Sequence, residues 1–225
     1  MRTAVWHAFP VTITILTASA SAAAPAAQAA APAETVTLWD AVAALPTAEE
    51  ARSGYTRSSF RHWIDSDRDG CSTRAEVLIA EAVTPPEVGH GCTLNGGTWY
   101  SYYDDVTVAQ ASALDVDHVV ALAESWDSGA HAWTPERREA YANDLDQAHH
   151  LVAVTARSNR SKADKDPAGW LPPHEPARCR YIAEWTAIKT RWQLSVDEQE
   201  KAALTMVARQ CPNILLADAS ASAGP

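Results

Sequence analysis

The chain has 225 residues, and its 28 acidic and 18 basic side chains give a formal net charge of −10 at pH 7. This length fits one domain, or one domain with an appended segment. Such an acidic chain has no general attraction for polyanions, so contact with a nucleic acid would need a local basic patch or a bound cation. Beyond about residue 30, no stretch is long and apolar enough to predict a membrane-spanning helix.

Residues 1–29 have the order of a secretory signal peptide, with an early arginine, a short apolar stretch and then small residues. The apolar part is too short to span a bilayer. Ala-x-Ala patterns allow cleavage after Ala20, Ala24 or Ala29, which leaves the site open, and a retained amphipathic anchor is the alternative. We therefore expect a secreted, extracellular protein.

Short elements are predicted along the mature chain. Residues 30–54 form a linker with one short helix that ends near Pro46, since apolar residues recur there at helical spacing. Later, β-prone runs flank Asn95-Gly96-Gly97 and predict a hairpin. Strands are expected in residues 113–126 and 149–156, with a helix between them in 134–147, capped by Thr134.

The C-terminal part is predicted to be helical. Residues 177–211 have the pattern of an antiparallel helical hairpin, and its second helix opens with Ser195 and Glu198 in capping-box spacing. Residues 213–225 are expected to form a flexible tail.

The four cysteines predict two disulfides, because an even number in an exported chain is typical of disulfide bonding. We expect the pairs Cys71–Cys92 and Cys179–Cys211, since each pair brackets one local unit. A zinc site is the alternative, but the chain has no C-x-x-C pair.

Residues 65–76, DSDRDGCSTRAE, match the calcium-loop pattern D-x-D-x-D-G-x5-E at every defined position. The oxygen ligands of this loop would be Asp65, Asp67, Asp69, Glu76 and the carbonyl of Cys71. Helices are predicted on both sides, within residues 56–67 and 73–83, as in an EF-hand. A single loop beside a disulfide favours a structural Ca²⁺ site over a sensor. A solvated acidic turn that caps the second helix is the alternative.

Two later segments carry the chemistry. DVDHVVAL, residues 115–122, and HLVAVTARSNRSKADKDP, residues 150–167, resemble the HNH, or ββα-metal, nuclease motif, including the HNH domain of CRISPR nucleases. The wider context resembles small secreted bacterial HNH proteins related to the C-terminal domain of GmrSD-type restriction endonucleases. The core of the resemblance is residues 113–170, within an HNH domain expected over 55–212.

This resemblance implies an α+β fold with a small ββα-metal core, surrounding helices, the EF-hand-like loop and the C-terminal helical hairpin. It also implies that His118 is the general base and that Asp117 and Asn159 bind one catalytic Mg²⁺ or Mn²⁺. His150 falls where the family has a residue, often Asn, that bonds the backbone near the base. Because His150 departs from that pattern, Asn143 or His149 could fill the role instead.

The same resemblance implies DNA as the substrate, with RNA as a further candidate. We also expect a monomer and little sequence specificity, because phosphate contacts carry no sequence information and no base-reading module is evident. Lys162 and Asp164 match a trailing K-x-D that supports the helix and the backbone phosphate. A basic cluster around Asn159 would hold phosphates against the acidic body, and it consists of Arg157, Arg160, Lys162 and Lys165.

Asp115 is assigned a supporting role. Two rival functions remain. The first is a non-catalytic, calcium-binding extracellular protein, and the second is a zinc hydrolase that uses His118, His149 and His150.

Overall fold

The computed structural model describes residues 36–147 and 149–216. The signal peptide predicted for residues 1–29 lies outside the described residues, as does the part of the expected tail after residue 216. The fold is α+β, as predicted, with short antiparallel sheets and helices packed around them. Within the described ranges, no helix combines the length and the apolar character that a membrane crossing needs.

The helices of the described ranges are α1 (Leu38–Ala44), α2 (Thr73–Ala80), α3 (Leu122–Asp127), α4 (Pro135–Ala142), α5 (Ala156–Lys162), α6 (Arg178–Trp192) and α7 (Glu198–Ala208). The strands are β1 (Val36–Thr37), β2 (Ala82–Thr84), β3 (Glu87–Val88), β4 (Leu94–Asn95), β5 (Thr98–Ser101), β6 (Val106–Val108), β7 (Leu114–His118), β8 (Leu151–Thr155) and β9 (Leu215–Leu216).

The strands β7 and β8 and the helix α5 form a ββα unit. The two strands pair antiparallel, with Leu114 opposite Thr155 and His118 opposite Leu151. The helix α5 follows β8 directly, and the Thr155 hydroxyl caps it by accepting a hydrogen bond from the Ser158 N–H. The order of strand, strand and helix predicted for residues 113–170 is therefore present.

The β7–β8 ribbon lies between α2 and α5, because successive side chains of a strand point to opposite faces. On one face, Leu114 and Val116 share a small core with Val77 and Leu78 of α2. The other face of β7 carries acidic side chains and faces α5. A larger core lies among α1, α6 and α7 and includes Trp185.

Both predicted disulfides are present. Cys71–Cys92 joins the acidic loop to the segment before β4, with 5.0 Å between the Cα atoms, and Cys179–Cys211 closes the α6–α7 hairpin, with 5.5 Å. The predicted capping box of α7 is wrong, because Asp197 caps this helix by accepting a hydrogen bond from the Glu200 N–H.

The helix predicted within residues 56–67 is also wrong. Only Arg57–Ser59 forms a single 3-10 turn, and Trp63 has a left-handed φ of 61°. The apolar residues at helical spacing contact different partners, since Phe60 packs on Tyr141 of α4 whereas Trp63 packs on the ring of His118. The acidic loop therefore has a helix only on its C-terminal side.

The hairpin predicted at Asn95–Gly97 is wrong as well. The strand β4 pairs with β3, whereas β5 pairs with β2 and β6, so this turn links two sheets. Gly97 has a φ of 86°, and a Cβ atom there would lie 2.7 Å from the Trp99 ring. The turn thus passes closely over Trp99.

Two other boundaries differ from the predictions. The strand predicted over 113–126 ends at His118, and residues 122–127 form α3. Residues 215–216, expected to lie in a flexible tail, form β9 and pair with β1. This pairing ties the end of the described chain to its beginning.

The outer edge of β8 is covered by a partly buried carboxylate. Glu81 follows α2, and its Oε2 accepts a hydrogen bond of 2.6 Å from the Ala153 N–H. Burial raises the pKa of Glu81 from 4.5 to about 7, against the lowering effect of this hydrogen bond. Because the folded state holds this proton more tightly than the unfolded state does, Glu81 should reduce stability as the pH rises from 4.5 to 7.

We expect Glu81→Gln to keep the bond from Ala153 and to remove this pH dependence. The unfolding free energy of the variant minus that of the wild type should increase by up to about 3 kcal/mol from pH 5 to pH 8. Urea unfolding at the two pH values measures this change. A constant difference between the two proteins would contradict the assignment, and Glu87→Gln at an exposed position serves as the control.

Candidate functional site

A polar cluster lies between β7 and α5. Asp115 and Asp117 are two residues apart on β7 and therefore share a face. Asn159 and Lys162 are three residues apart on α5, so they lie on one side of that helix. The side chains meet in two pairs, Asp115 with Asn159 and Asp117 with Lys162. Asn159 lies in the middle of α5 rather than at its start.

The pair of Asp117 and Lys162 is buried, with 5% and 0% of the two residues exposed. Lys162 Nζ lies 2.9 Å from the carboxylate and also donates to the His118 carbonyl at 3.0 Å. The second Asp117 oxygen accepts a hydrogen bond of 2.7 Å from the Tyr103 hydroxyl. Burial raises the pKa of Asp117, and the positive charge of Lys162 opposes this rise. The prediction that Lys162 belongs to an exposed basic cluster is therefore wrong.

The pair of Asp115 and Asn159 is half-buried. Asn159 Nδ2 donates to Asp115 Oδ2 at 3.2 Å, and Arg160 Nε lies 3.7 Å from the same oxygen. The side-chain oxygen of Asn159, Oδ1, makes no hydrogen bond to the described part of the chain, whereas its backbone carbonyl accepts from the Ala163 N–H. Asp115, assigned only a supporting role from the sequence, is the carboxylate that contacts Asn159.

His118 points to the opposite face of β7. Its Nε2 lies 2.9 Å from the Ala142 carbonyl oxygen, which can only accept, so Nε2 carries the proton and Nδ1 is the basic nitrogen. The ring packs against Trp63 and stacks with Tyr141. Burial lowers the pKa of His118 well below its ordinary value, and nearby His150 adds to this effect. The imidazole is therefore neutral at pH 7.

Asn143 makes the backbone contacts that were expected of a residue beside the base. Its Nδ2 donates to the carbonyls of Arg61 and Glu139, each at 2.8 Å, and its Oδ1 accepts from the Ile64 N–H and the Thr73 hydroxyl. It directly follows Ala142, so these bonds fix the carbonyl that holds His118.

His150 is buried 4.7 Å from the Tyr141 ring, and neither ring nitrogen makes a hydrogen bond within the described residues. Burial lowers the pKa of His150 to about 4, so the ring is neutral. Its backbone carbonyl accepts from the Val119 N–H. The third candidate, His149, is half-exposed beside Arg180, which lies 3.0 Å from its Nδ1.

The three histidines of the zinc hypothesis do not converge. The rings of His118 and His150 are 6.3 Å apart, and His149 faces Arg180. In the ranges 36–147 and 149–216, the groups of side chains close enough to share a metal contain only carboxylates. The geometry gives this hypothesis no support.

The other basic residues named from the sequence are exposed on or after α5. Lys165 Nζ donates to the Ser161 carbonyl at 2.8 Å, and Arg160 lies beside Asp115. Arg157 makes no ion pair with the described residues. These three side chains form the basic surface next to the polar cluster.

The acidic loop forms one of the carboxylate groups. Ligand oxygens of Asp65, Asp67 and Asp69 lie within 4.8 Å of one another. The loop is held by internal bonds, from Gly70 N–H to Asp65 and from Cys71 N–H to Asp69. Burial and the charges of the three aspartates raise the pKa of Glu76, in the first turn of α2.

Sequence reasoning missed three contacts of the site. Tyr103 bonds Asp117 from 14 positions away, and Ala142 bonds His118 from 24 positions away. Trp63 contacts His118 from a segment wrongly predicted as helix. The Asp-x-Asp spacing, which places Asp115 and Asp117 on one strand face, was the available signal for the contact of Asp115 with α5.

The fold and the site define an α+β protein with a ββα unit whose polar residues lie at the strand–helix contact. The family described as GmrSD restriction endonucleases, C-terminal domain, matches residues 91–207, and the chain belongs to this family. An uncharacterized secreted protein of Arthroderma benhamiae is 40% identical over 160 residues, which cover 71% of this chain and 77% of that protein. No solved structure matches the chain.

Membership confirms the predicted relation to the GmrSD C-terminal domain and indicates a nuclease-related role. The similar Arthroderma benhamiae protein is fungal, so the similarity is not limited to the bacterial proteins that the sequence motifs resemble.

We expect Lys162→Met to destabilise the protein by about 3–5 kcal/mol, because it leaves Asp117 as an unpaired buried charge. Urea unfolding measures this loss. Adding Asp117→Asn should recover part of it, since the neutral amide removes that charge.

The matched control is Lys165→Met, at an exposed position four residues from Ser161. It should change the unfolding free energy by less than about 0.5 kcal/mol. A similarly small effect of Lys162→Met would show that the buried pair does not hold α5 on β7.

Proposed function

We propose that the chain is a secreted, metal-dependent HNH endonuclease that hydrolyses phosphodiester bonds of DNA, with RNA as a second candidate substrate. One observation carries the proposal: His118 is a neutral imidazole with one fixed tautomer, at the end of the strand that carries the oxygens of the polar cluster. Family membership supports the nuclease class. The two disulfides and the secreted relative support export.

His118 is the proposed general base. Nε2 holds the Ala142 carbonyl, so Nδ1 accepts the proton of the attacking water. A positioned base of this kind contributes about 10²–10⁴-fold to the rate. The strand β7 ends at His118, and we place the scissile phosphate across this end, between the two faces.

The residues of the polar cluster fit a divalent cation such as Mg²⁺ or Mn²⁺, since they offer hard oxygens in an incomplete set. Asn159 Oδ1 makes no hydrogen bond within the described residues, and Asp115 orients the side-chain amide through Nδ2. Asp117 accepts from Lys162 and Tyr103, and a carboxylate has further lone pairs beyond these two bonds. We assign Asn159 and Asp117 as ligands, with Asp115 beside them. When bound, the cation would neutralise charge on the phosphate and stabilise the leaving oxygen.

The exposed Arg157, Arg160 and Lys165 would hold neighbouring phosphates. Such contacts position a nucleic acid without reading its sequence. Little sequence specificity is therefore expected from this surface.

We further propose that the acidic loop binds a structural Ca²⁺. Its three aspartates form no ion pair with the described residues, and burial together with their charges raises the pKa of Glu76. The Cys71 carbonyl and Glu76 would complete the oxygen set. Trp63, two residues before the loop, packs on His118, so an ordered loop would also steady the base.

We expect His118→Gln to lower plasmid cleavage by about 10²–10⁴-fold, because the variant lacks a basic nitrogen. The control is His131→Gln, which changes an exposed histidine outside the site. Supercoiled plasmid is incubated with each protein in Mg²⁺ or Mn²⁺ and with EDTA, and circular dichroism checks the fold.

Wild-type cleavage in EDTA, or equal cleavage by both variants, would contradict the mechanism. A folded wild type that cleaves neither plasmid nor RNA with any divalent cation would favour the non-catalytic calcium-binding alternative.

For the acidic loop, we expect Ca²⁺ to raise the melting temperature with a Kd of about 10⁻⁴–10⁻³ M. Glu76→Gln should weaken this effect, whereas Glu87→Gln should not. Differential scanning fluorimetry across a Ca²⁺ series measures both. The Ca²⁺ response should persist in Asn159→Ala, which separates this site from the catalytic one; an unchanged response in Glu76→Gln would refute the loop as its source.

A further inference from the structure

A cavity of about 350 Å³ adjoins α5. Arg157, Ser158 and Ser161 of α5 line one wall. The opposite side is lined by Asp104, Val106, Trp170, Leu171 and Pro173. Its volume is in the range of small-ligand sites, which is about 300–1,000 Å³.

The Tyr103 ring lies between Trp170, which lines the cavity, and Asp117, a proposed metal ligand. The rings of Trp170 and Tyr103 are 5.1 Å apart, and the Tyr103 hydroxyl donates to Asp117. On the other side, α5 carries Arg157 and Ser161 toward the cavity and Asn159 toward β7. The cavity and the polar cluster therefore border the same helix.

The walls suit a flat ring with polar edges. Trp170 is half-buried, and its Nε1 donates to Ser161 Oγ at 3.3 Å, which fixes the indole plane. Leu171 and Pro173 add apolar surface. Bases of single strands stack on aromatic side chains of this kind.

Asp104 favours the entry of a base over the entry of a phosphate. Its two oxygens each accept a hydrogen bond of 2.6 Å, from Ser101 and from Thr155, so the carboxylate is fixed and charged groups of like sign are repelled. A phosphate is thus disfavoured beside Asp104 and favoured at Arg157, which lines the other wall. The remaining lone pairs of Asp104 can accept from an amino group of a base.

Amino groups of this kind are present on adenine, cytosine and guanine and absent from thymine. In a duplex these bases are stacked and paired, so only an unpaired nucleotide can insert its base. The geometry points to a base-binding subsite for one unpaired nucleotide next to the scissile phosphate, selective for bases with an exocyclic amino group. This inference rests on the proposed nuclease function and predicts that the enzyme prefers substrates with unpaired segments.

The test measures binding without cleavage, in the His118→Gln protein with Ca²⁺, by fluorescence anisotropy of labelled 12-mers. We expect oligo-dC and oligo-dA to bind more tightly than oligo-dT or a duplex. Trp170→Ala should weaken oligo-dC binding about 10-fold, as expected for the loss of one stacked base. The matched control, Trp39→Ala, removes an exposed tryptophan of α1 and should change nothing.

Asp104→Asn should reduce the preference for oligo-dC over oligo-dT, because an amide can donate to thymine as well as accept from cytosine. The subsite would be overturned if the protein with Trp170 and the Trp170→Ala variant bound oligo-dC equally. Equal binding of duplex and single strand would also overturn it. These outcomes do not depend on hydrolysis. If the protein cleaves plasmid but lacks this binding pattern, the subsite fails alone; if it shows the pattern without cleavage, the nuclease proposal fails alone.

Discussion

The buried contact of Lys162 with Asp117 is the interaction on which the ββα unit depends. Lys162 is the last residue of α5, where a positive charge also suits the helix dipole. Its Nζ reaches both the Asp117 carboxylate and the His118 carbonyl, so the end of α5 is fixed to the end of β7. A shift of β7 by one residue would replace Asp117 with Val116 or the neutral His118 opposite Lys162, and a buried charge is costly without a charged partner. The pair therefore sets the register that brings Asn159 to Asp115.

The two faces of β7 divide the proposed chemistry. Toward α5 lie the oxygens that can bind a cation, and toward α2 lies His118 with its partners Ala142 and Trp63. Asn143 joins this second face to the acidic loop through Ile64 and Thr73. These contacts connect the acidic loop, the end of α4 and His118. A structural Ca²⁺ in the loop, as proposed, would therefore stabilise the position of His118 through packing.

Much of this architecture was predictable where the signal is local. The apolar run of β8 and the Thr134 cap concern neighbours in sequence, and the paired cysteines bracket local units at sequence separations of 21 and 32; the structure contains the expected strand, helix and disulfides. The ββα order followed from the resemblance, whose motif lies within residues 113–170.

The remaining features depend on long-range packing. Nothing in the sequence near Lys162 shows that it is buried against a residue 45 positions away. Likewise, Phe60 and Trp63 have helical spacing, but Phe60 packs against Tyr141 whereas Trp63 packs against His118. Strand pairing beyond Gly96 and Gly97 was not predictable for the same reason, since the turn joins strands of two sheets. The roles of His118, Asp117 and Asn159 remain proposals that the geometry supports.

The central claim is that the strand–helix contact of the ββα unit binds the catalytic cation. Anomalous scattering from crystals of the full chain grown with Mn²⁺ tests it most directly. The account predicts an Mn²⁺ peak at the side-chain oxygen Oδ1 of Asn159 and a carboxylate of β7, with Lys162 still bonded to Asp117. A protein that cleaves DNA with Mn²⁺ but shows the ion only at the acidic loop, or nowhere near Asn159, would contradict it.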